Sequence, residues 1–203
     1  MTNEPTNSIF IQGEITSTPT ITYSREGENF YEFELTVRRH SDKSDRLTVM
    51  MPERVYKKVE GEKFITVTGE IRTRNFKDEN EKNHLRIYIF AKDGYLNLEE
   101  KNDNEVTLTG FVCKKPVFRT TPLNRDICDL LIAVNRISGK RSDYIPSIVW
   151  GRSAAYAGEL QVGDNITVTG RFQSRIYNKQ KDGGDTEEKI AHELSISNIA
   201  KIN

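Results

Sequence analysis

The sequence predicts an all-β protein built as two consecutive copies of one small barrel, and three observations lead there. The first is an internal repeat. "GEITSTPTI", starting at Gly13, matches "GFVCKKPVF", starting at Gly110, and "FELTVRRHS" matches "LLIAVNRIS". Gly13 thus pairs with Gly110, Pro19 with Pro116, Val37 with Val134 and Arg39 with Arg136, all at an offset of 97. The offset rises to 101 where Gly69 pairs with Gly170, so the second copy carries extra residues around "WGRSAAYAGEL", where the first has "MPERVYKKVEGE". The second observation is strand periodicity throughout both copies. The third is that only "RSAAYAGEL" reads as a helix.

The elements of the second copy follow in order. "EVTLTGFV", "DICDLLIAVNRI", "SDYIPSIVWG", "NITVTGRFQSRIY" and "KIAHELSISNIAKI" combine alternation with β-branched residues and are separated by Gly, Pro, Asn and Asp. Five strands with one helix between the third and fourth fit the OB-fold, a five-stranded Greek-key barrel. A small β-sandwich has the same strand spacing, and strand count does not separate the two. The spacer "NLEEKNDNE" is polar and acidic, as a linker between domains should be. The expected domains are residues 8–98 and 105–203, joined by 99–104.

Side-chain parity then assigns faces, because successive strand residues point to opposite sides. In the second copy Ile166, Val168, Gly170, Phe172 and Ile176 form a core face, and Thr167, Thr169, Arg171, Gln173, Arg175 and Tyr177 an outer one. The first copy repeats this with Ile65, Val67, Gly69 and Ile71 inward and Thr66, Thr68, Glu70, Arg72, Arg74 and Phe76 outward. A single such strand is explained by solvation of its outer face; recurrence in both copies favours a functional reading. In "DYIPSIVWGR" the tryptophan Trp150 shares a parity with Tyr144, and Arg141 and Arg152 flank the pair. Rings interleaved with guanidinium groups suit single-stranded nucleic acid, the rings stacking on bases and the cations meeting phosphates. Duplex readout calls for a long basic helix, and none is predicted.

Composition narrows the classes further. The chain has 203 residues, 35% hydrophobic and 30% charged, enough for small β-rich cores. No apolar run reaches the length of a membrane span and "MTNEPTNSIF" lacks a signal-peptide layout, so a cytoplasmic location is expected. Cys113 and Cys128 read as reduced strand thiols without a role. Net charge is zero, yet residues 1–104 hold 16 basic and 19 acidic side chains, net −3, against 14 and 11, net +3, in residues 105–203. An anion is therefore expected to prefer the second half. No phosphate-binding glycine loop, metalloprotease or serine-hydrolase motif occurs, and His40, His84 and His192 are scattered. A non-enzyme without metal or cofactor is expected.

The segment "LLIAVNRISGKRSDYIPSIVWGRSAAYAGELQVGDNITVTGRFQSRIYN" resembles the bacterial single-stranded DNA-binding protein family. The likeness lies in A-V-N-R, an aromatic ahead of W-G-R, and G-D before V-x-G-R-x-x-x-R-x-Y. It implies base stacking by Tyr144, Trp150 and Tyr177 and backbone contacts by Arg136, Arg152, Arg171 and Arg175. By repeat, Arg39, Arg72, Arg74 and Phe76 are the candidates of the first copy, and Arg141 joins those of the second. The first copy departs from the pattern. At an offset of 97 Leu47 stands opposite Tyr144, "VMMPER" replaces "IVWGR", and Phe76 is left as the clear stacking equivalent. Tyr23, Phe30 and Tyr31 are possible substitutes, although Tyr31 shares a core parity with Phe33, Leu35 and Val37. Unequal halves are expected, the second binding better.

What the resemblance implies is protection of single-stranded DNA with little sequence preference, as in replication and recombination, by a homodimer that displays four OB-folds. The alternatives are a protein-interaction module on the same scaffold or a single-stranded RNA binder. Family members that serve chromosomal replication end in an acidic tail that recruits partners, whereas this sequence ends at "SNIAKIN". Tail-mediated recruitment is therefore not expected, and an accessory setting such as a phage, plasmid or mobile element is. The hairpin loops "FKDENEKNH" and "NKQKDGGDTEE" are read as surface excursions able to fold over a bound strand.

Overall fold

The computed structural model describes residues 6–39, 41–77, 81–96, 99, 101–136, 141–180 and 186–202, the side chains of 179 and 180 apart. Residues 78–80 and 181–185, the centres of the two hairpin loops, and His40 lie outside the described residues. The first half runs β1 (Asn7–Ile15), β2 (Thr20–Arg25), β3 (Glu28–Arg38), β4 (Ser44–Pro52), α1 (Glu53–Tyr56), β5 (Phe64–Lys77) and β6 (Asn83–Leu96). The second repeats the order with β7 (Asn104–Val112), β8 (Val117–Thr120), β9 (Asp126–Asn135), β10 (Ser142–Trp150), α2 (Arg152–Glu159), β11 (Asn165–Gln180) and β12 (Thr186–Lys201).

In each half five strands close a ring. β1 pairs with β5 and β3, β3 with β4, β4 in parallel with β6, and β6 with β5. β7, β11, β12, β10 and β9 repeat the circuit. This is the OB-fold arrangement, with a helix between the strands that sequence reading numbers third and fourth. Each half also has a strand that periodicity misses, β2 and β8, which pairs only with β3 or β9. Every side chain of both is exposed, so there is no buried face to write an alternation into the sequence.

The shared "TVTG" motif has a steric cause. A bulge follows Thr68 in the β5–β6 ladder and Thr169 in β11–β12. There a Cβ on Gly69 would sit 2.2 Å from the Phe90 carbonyl oxygen, and one on Gly170 2.1 Å from that of Ser195. Only glycine fits where the partner backbone approaches so closely. Inward residues of β5 and β11 are buried as parity predicts, up to Ile71 and Phe172. Ile176 departs from that reading and is 55% exposed, because β11 outruns the barrel there and has no core beneath it.

The halves meet about an internal two-fold. β1 and β7 pair antiparallel from Asn7↔Leu108 to Ile11↔Asn104, with Ile9 opposite Val106 in the middle, and the sheet continues through both halves. Two buried aspartates lock the contact. Asp45 accepts a two-pronged hydrogen bond from Arg39, at 3.0 and 2.5 Å, and one from the Ser174 N–H at 2.8 Å. Asp143 does the same with Arg136, at 2.8 and 2.6 Å, and the Thr73 N–H at 2.6 Å. The arginines also reach across, Arg39 Nη2 to the Ser174 carbonyl at 2.9 Å and Arg136 Nη2 to that of Thr73 at 3.1 Å. Each half thus grips the other's β5 or β11 backbone.

A buried carboxylate with this many donors is stable in place, whereas removing it strands a guanidinium. Asp143→Ala is expected to lower the unfolding free energy by about 3–5 kcal/mol, the usual cost of breaking a buried pair. Urea denaturation followed by circular dichroism measures this. Asp45→Ala, which also releases Arg171 at 2.9 Å, should cost at least as much.

Candidate nucleic-acid interface

β10 buries Ile145 and Val149 and turns Tyr144 and Trp150 outward, 45% and 41% exposed. Trp150 Nε1 donates to Ser195 Oγ at 3.2 Å, which anchors the indole edge on β12 while much of the ring stays open to solvent. Arg141 precedes the strand and Arg152 opens α2; both are exposed, and neither has a carboxylate partner among the described residues. At the end of β11 the Arg175 guanidinium lies 5.8 Å from the Tyr177 ring centroid, with Glu193 at 4.0 Å.

The other predicted arginines divide by partner. Arg39, Arg136 and Arg171 are committed to Asp45 and Asp143, and so hold the halves together. The hydrogen bonds that Arg136 donates to Asp143 raise its pKa, keeping it a cation. Arg72 donates to Glu70 at 2.9 Å and lies over the Phe90 ring at 4.0 Å. Burial pushes the Glu70 carboxyl up, but Lys92 and Arg72 outweigh it and hold the group below its usual range. Arg74 is exposed and has no carboxylate partner among the described residues.

Two grooves collect some of these groups, whereas Tyr144, Trp150 and Arg152 line neither of them. One, of about 790 Å³, lies between the β5–β6 and β11–β12 hairpins and brings Phe76 and Arg74 together with Tyr177 and Arg175. Pro146, between Tyr144 and Ile148 on the outer side of β10, also lines it. The second, of about 620 Å³, joins Arg72 and Arg74 of the first half to Arg136 and Arg141 of the second. Arg74 and Arg86 belong to both, so the grooves connect.

Residues 103–202 match the model of the single-strand binding protein family. The match spans the second half of the chain. The chain is similar to Single-stranded DNA-binding protein 1 of Staphylococcus aureus (strain COL), 37% identical over 84 residues, or 38% of this chain and 50% of that protein. Single-stranded DNA-binding protein A of Bacillus subtilis (strain 168) is also 37% identical over 84 residues, covering 38% and 49%. The chain spans about half the length of these curated relatives. The crystal structure of the wild-type single-stranded DNA binding protein from Thermus aquaticus superposes on 97% of this chain and 93% of its own, with a TM-score of 0.75 at 21% identity. That likeness establishes the fold across both halves.

Against the second half, the first half shows what its sequence conceals. Strand pairing places Arg46 opposite Thr36 and Tyr144 opposite Ala133, so the true counterpart of Tyr144 is Arg46. Leu47, its match in a gapless register, is buried in the core, because the β9–β10 connection is one residue longer than β3–β4. Met51 is a core residue, and Met50 is buried beside Phe30 and Tyr88, so neither methionine presents a free surface. An aromatic cluster stands outside the barrel instead: Tyr23 stacks on Phe30 at 4.5 Å and 5°, and Phe90 packs 6.2 Å from Phe30. Tyr88 and Phe90 alternate on β6, in "RIYIF", and that period was the available signal.

His192 lines the groove between the hairpins, donates from Nε2 to the Arg46 carbonyl at 2.9 Å across the two halves, and stacks on Phe172 at 5.7 Å. Burial lowers its pKa below 6.5, so the unfolded chain takes up the proton first. Stability is then lost as pH falls through and below about 6.5. Denaturation midpoints between pH 7.5 and 5.5 should fall, and His192→Gln should flatten that slope.

Proposed function

We propose that this protein binds single-stranded DNA with little sequence preference, by stacking bases on exposed aromatics and pairing phosphates with arginines. One observation carries the reading. Exposed rings from both halves, Tyr23 in one groove and Phe76 with Tyr177 in the other, open onto connected grooves lined by guanidinium groups, with Tyr144 and Trp150 exposed on β10, in a chain whose residues 103–202 match the single-strand binding family. The names of its relatives support the same reading. The proposed contacts are Tyr144, Trp150 and Tyr177 for bases and Arg74, Arg141, Arg152 and Arg175 for phosphates, with Phe76 at the groove between the hairpins. Arg72 borders the same path. Arg39, Arg136 and Arg171 act indirectly, by fixing the relation of the two halves.

In this reading residues 8–98 and 105–203 are two OB-fold domains joined by 99–104, and two chains associate to give four. The side of the sheet away from the barrel cores, with Phe10 and Phe111 exposed on it, supports such a contact. Light scattering should give twice the chain mass; a monomer at working concentration would remove this part.

Trp150 fluorescence should be quenched by oligo-dT and much less by duplex of equal length. Oligo-U quenching as strong as oligo-dT would redirect the reading to RNA. Affinity should weaken with salt, with a log–log slope of about −0.7 for each phosphate neutralised. Tyr144→Ala/Trp150→Ala is expected to weaken binding by tenfold or more, since stacking contributes about 1–3 kcal/mol per base, and Phe76→Ala by less.

A further inference from the structure

The aromatic cluster outside the first barrel is not required to fill that barrel. The main core of the first half consists of Phe33, Leu35, Val49, Ile71 and Ile89 and their neighbours, whereas Phe30, Met50 and Tyr88 form a separate cluster on the other side of the sheet, with Phe90 against it. β2 adds Tyr23, whose ring lies parallel to that of Phe30 and remains 38% exposed. Tyr23 and Phe90 line the groove of about 620 Å³. Its described lining residues include six arginines and no carboxylate. Two of those arginines, Arg74 and Arg86, stand directly opposite each other on β5 and β6, where like charges repel. Glu32 compensates Arg86, but Arg74 has no such partner among the described residues. A polyanion carrying flat rings satisfies both halves of this arrangement at once.

From this geometry we propose that the first half has its own base-stacking platform, Tyr23 and Phe90 over Phe30. Its phosphate contacts are Arg74 and, from the second half, Arg141. The inference rests on the single-stranded DNA reading and extends it. The first half stacks bases with strands β2, β3 and β6, whereas the second uses β10 and β11. Because Arg74 lines both grooves, one DNA strand runs from this platform into the groove with Phe76 and Tyr177, and so crosses from one half to the other. The two halves are then unequal in construction and not in competence.

The test uses the full chain. Tyr144→Ala/Trp150→Ala/Tyr177→Ala, checked by circular dichroism, is titrated with fluorescein-labelled oligo-dT at low salt. Residual binding is expected, and adding Tyr23→Ala and Arg74→Ala should weaken it by about fivefold or more, while Tyr23→Phe in place of Tyr23→Ala should restore most of the loss. No residual binding in the triple variant, or no further loss on adding the two changes, overturns the platform. In parallel, wild-type protein is photo-cross-linked to oligo-dT carrying 5-iodouracil, and the adducts are mapped by mass spectrometry. Adducts on peptides holding Tyr23 or Phe90 are expected; adducts confined to the second half overturn the proposal even if a variant misfolds. If wild-type protein binds no oligo-dT at all, the functional reading itself fails, which separates the two outcomes.

Discussion

The architecture depends on two carboxylates that are almost wholly shielded from water. Asp45 and Asp143 sit where the halves meet, and each is satisfied by an arginine of its own half and a backbone N–H of the other. Burying an ionised carboxylate is tolerable only when its charge and lone pairs are answered, and here the answer is divided between the halves. The β1–β7 pairing sets the register of the contact, but it is a short ladder. The aspartates fix how β4 and β10 lie against the neighbouring long hairpins, and therefore where both grooves run. Three arginines that match phosphate-contacting positions of the family pattern, or repeat them, are held in this joint.

Much of the fold was legible because duplication wrote it twice. The glycines of the bulges, the alternation along β5 and β11 and the helix after β10 follow from local sequence and need no long-range information. What stayed hidden depended on partners distant in the chain. Arg39 and Asp45, like Arg136 and Asp143, are close in sequence, and their recurrence in both copies marks them as a unit. That the unit grips the other half's backbone is not encoded in its spacing. β2 and β8 leave no periodic signal because exposed strands have no inward face. The counterpart of Tyr144 was misplaced by a one-residue difference in a turn, enough to exchange an outward side chain for a core leucine.

The candidate site shows the same division. The second half's aromatics were readable because they follow a combination of residues that is specific as a set. The first half's cluster uses other strands, and its members are spread from Tyr23 to Phe90. Only the parity of β6 hints at it. Folding over the barrel brings those rings together beside Arg72, whose guanidinium covers one face of Phe90. The first copy thus exposes aromatics at a different edge of the barrel from the second.

The reciprocal grip of Asp45 and Asp143 has a further consequence for concentration. In a protein made of separate identical subunits, such a contact would dissociate on dilution. Covalent continuity between β6 and β7 gives it an effective local concentration of about millimolar, set by the chain and not by expression level. The paired-barrel unit therefore persists at any abundance, and neither half is a natural minimal fragment. Separated, each would expose an aspartate and an arginine built to close on a strand it no longer has.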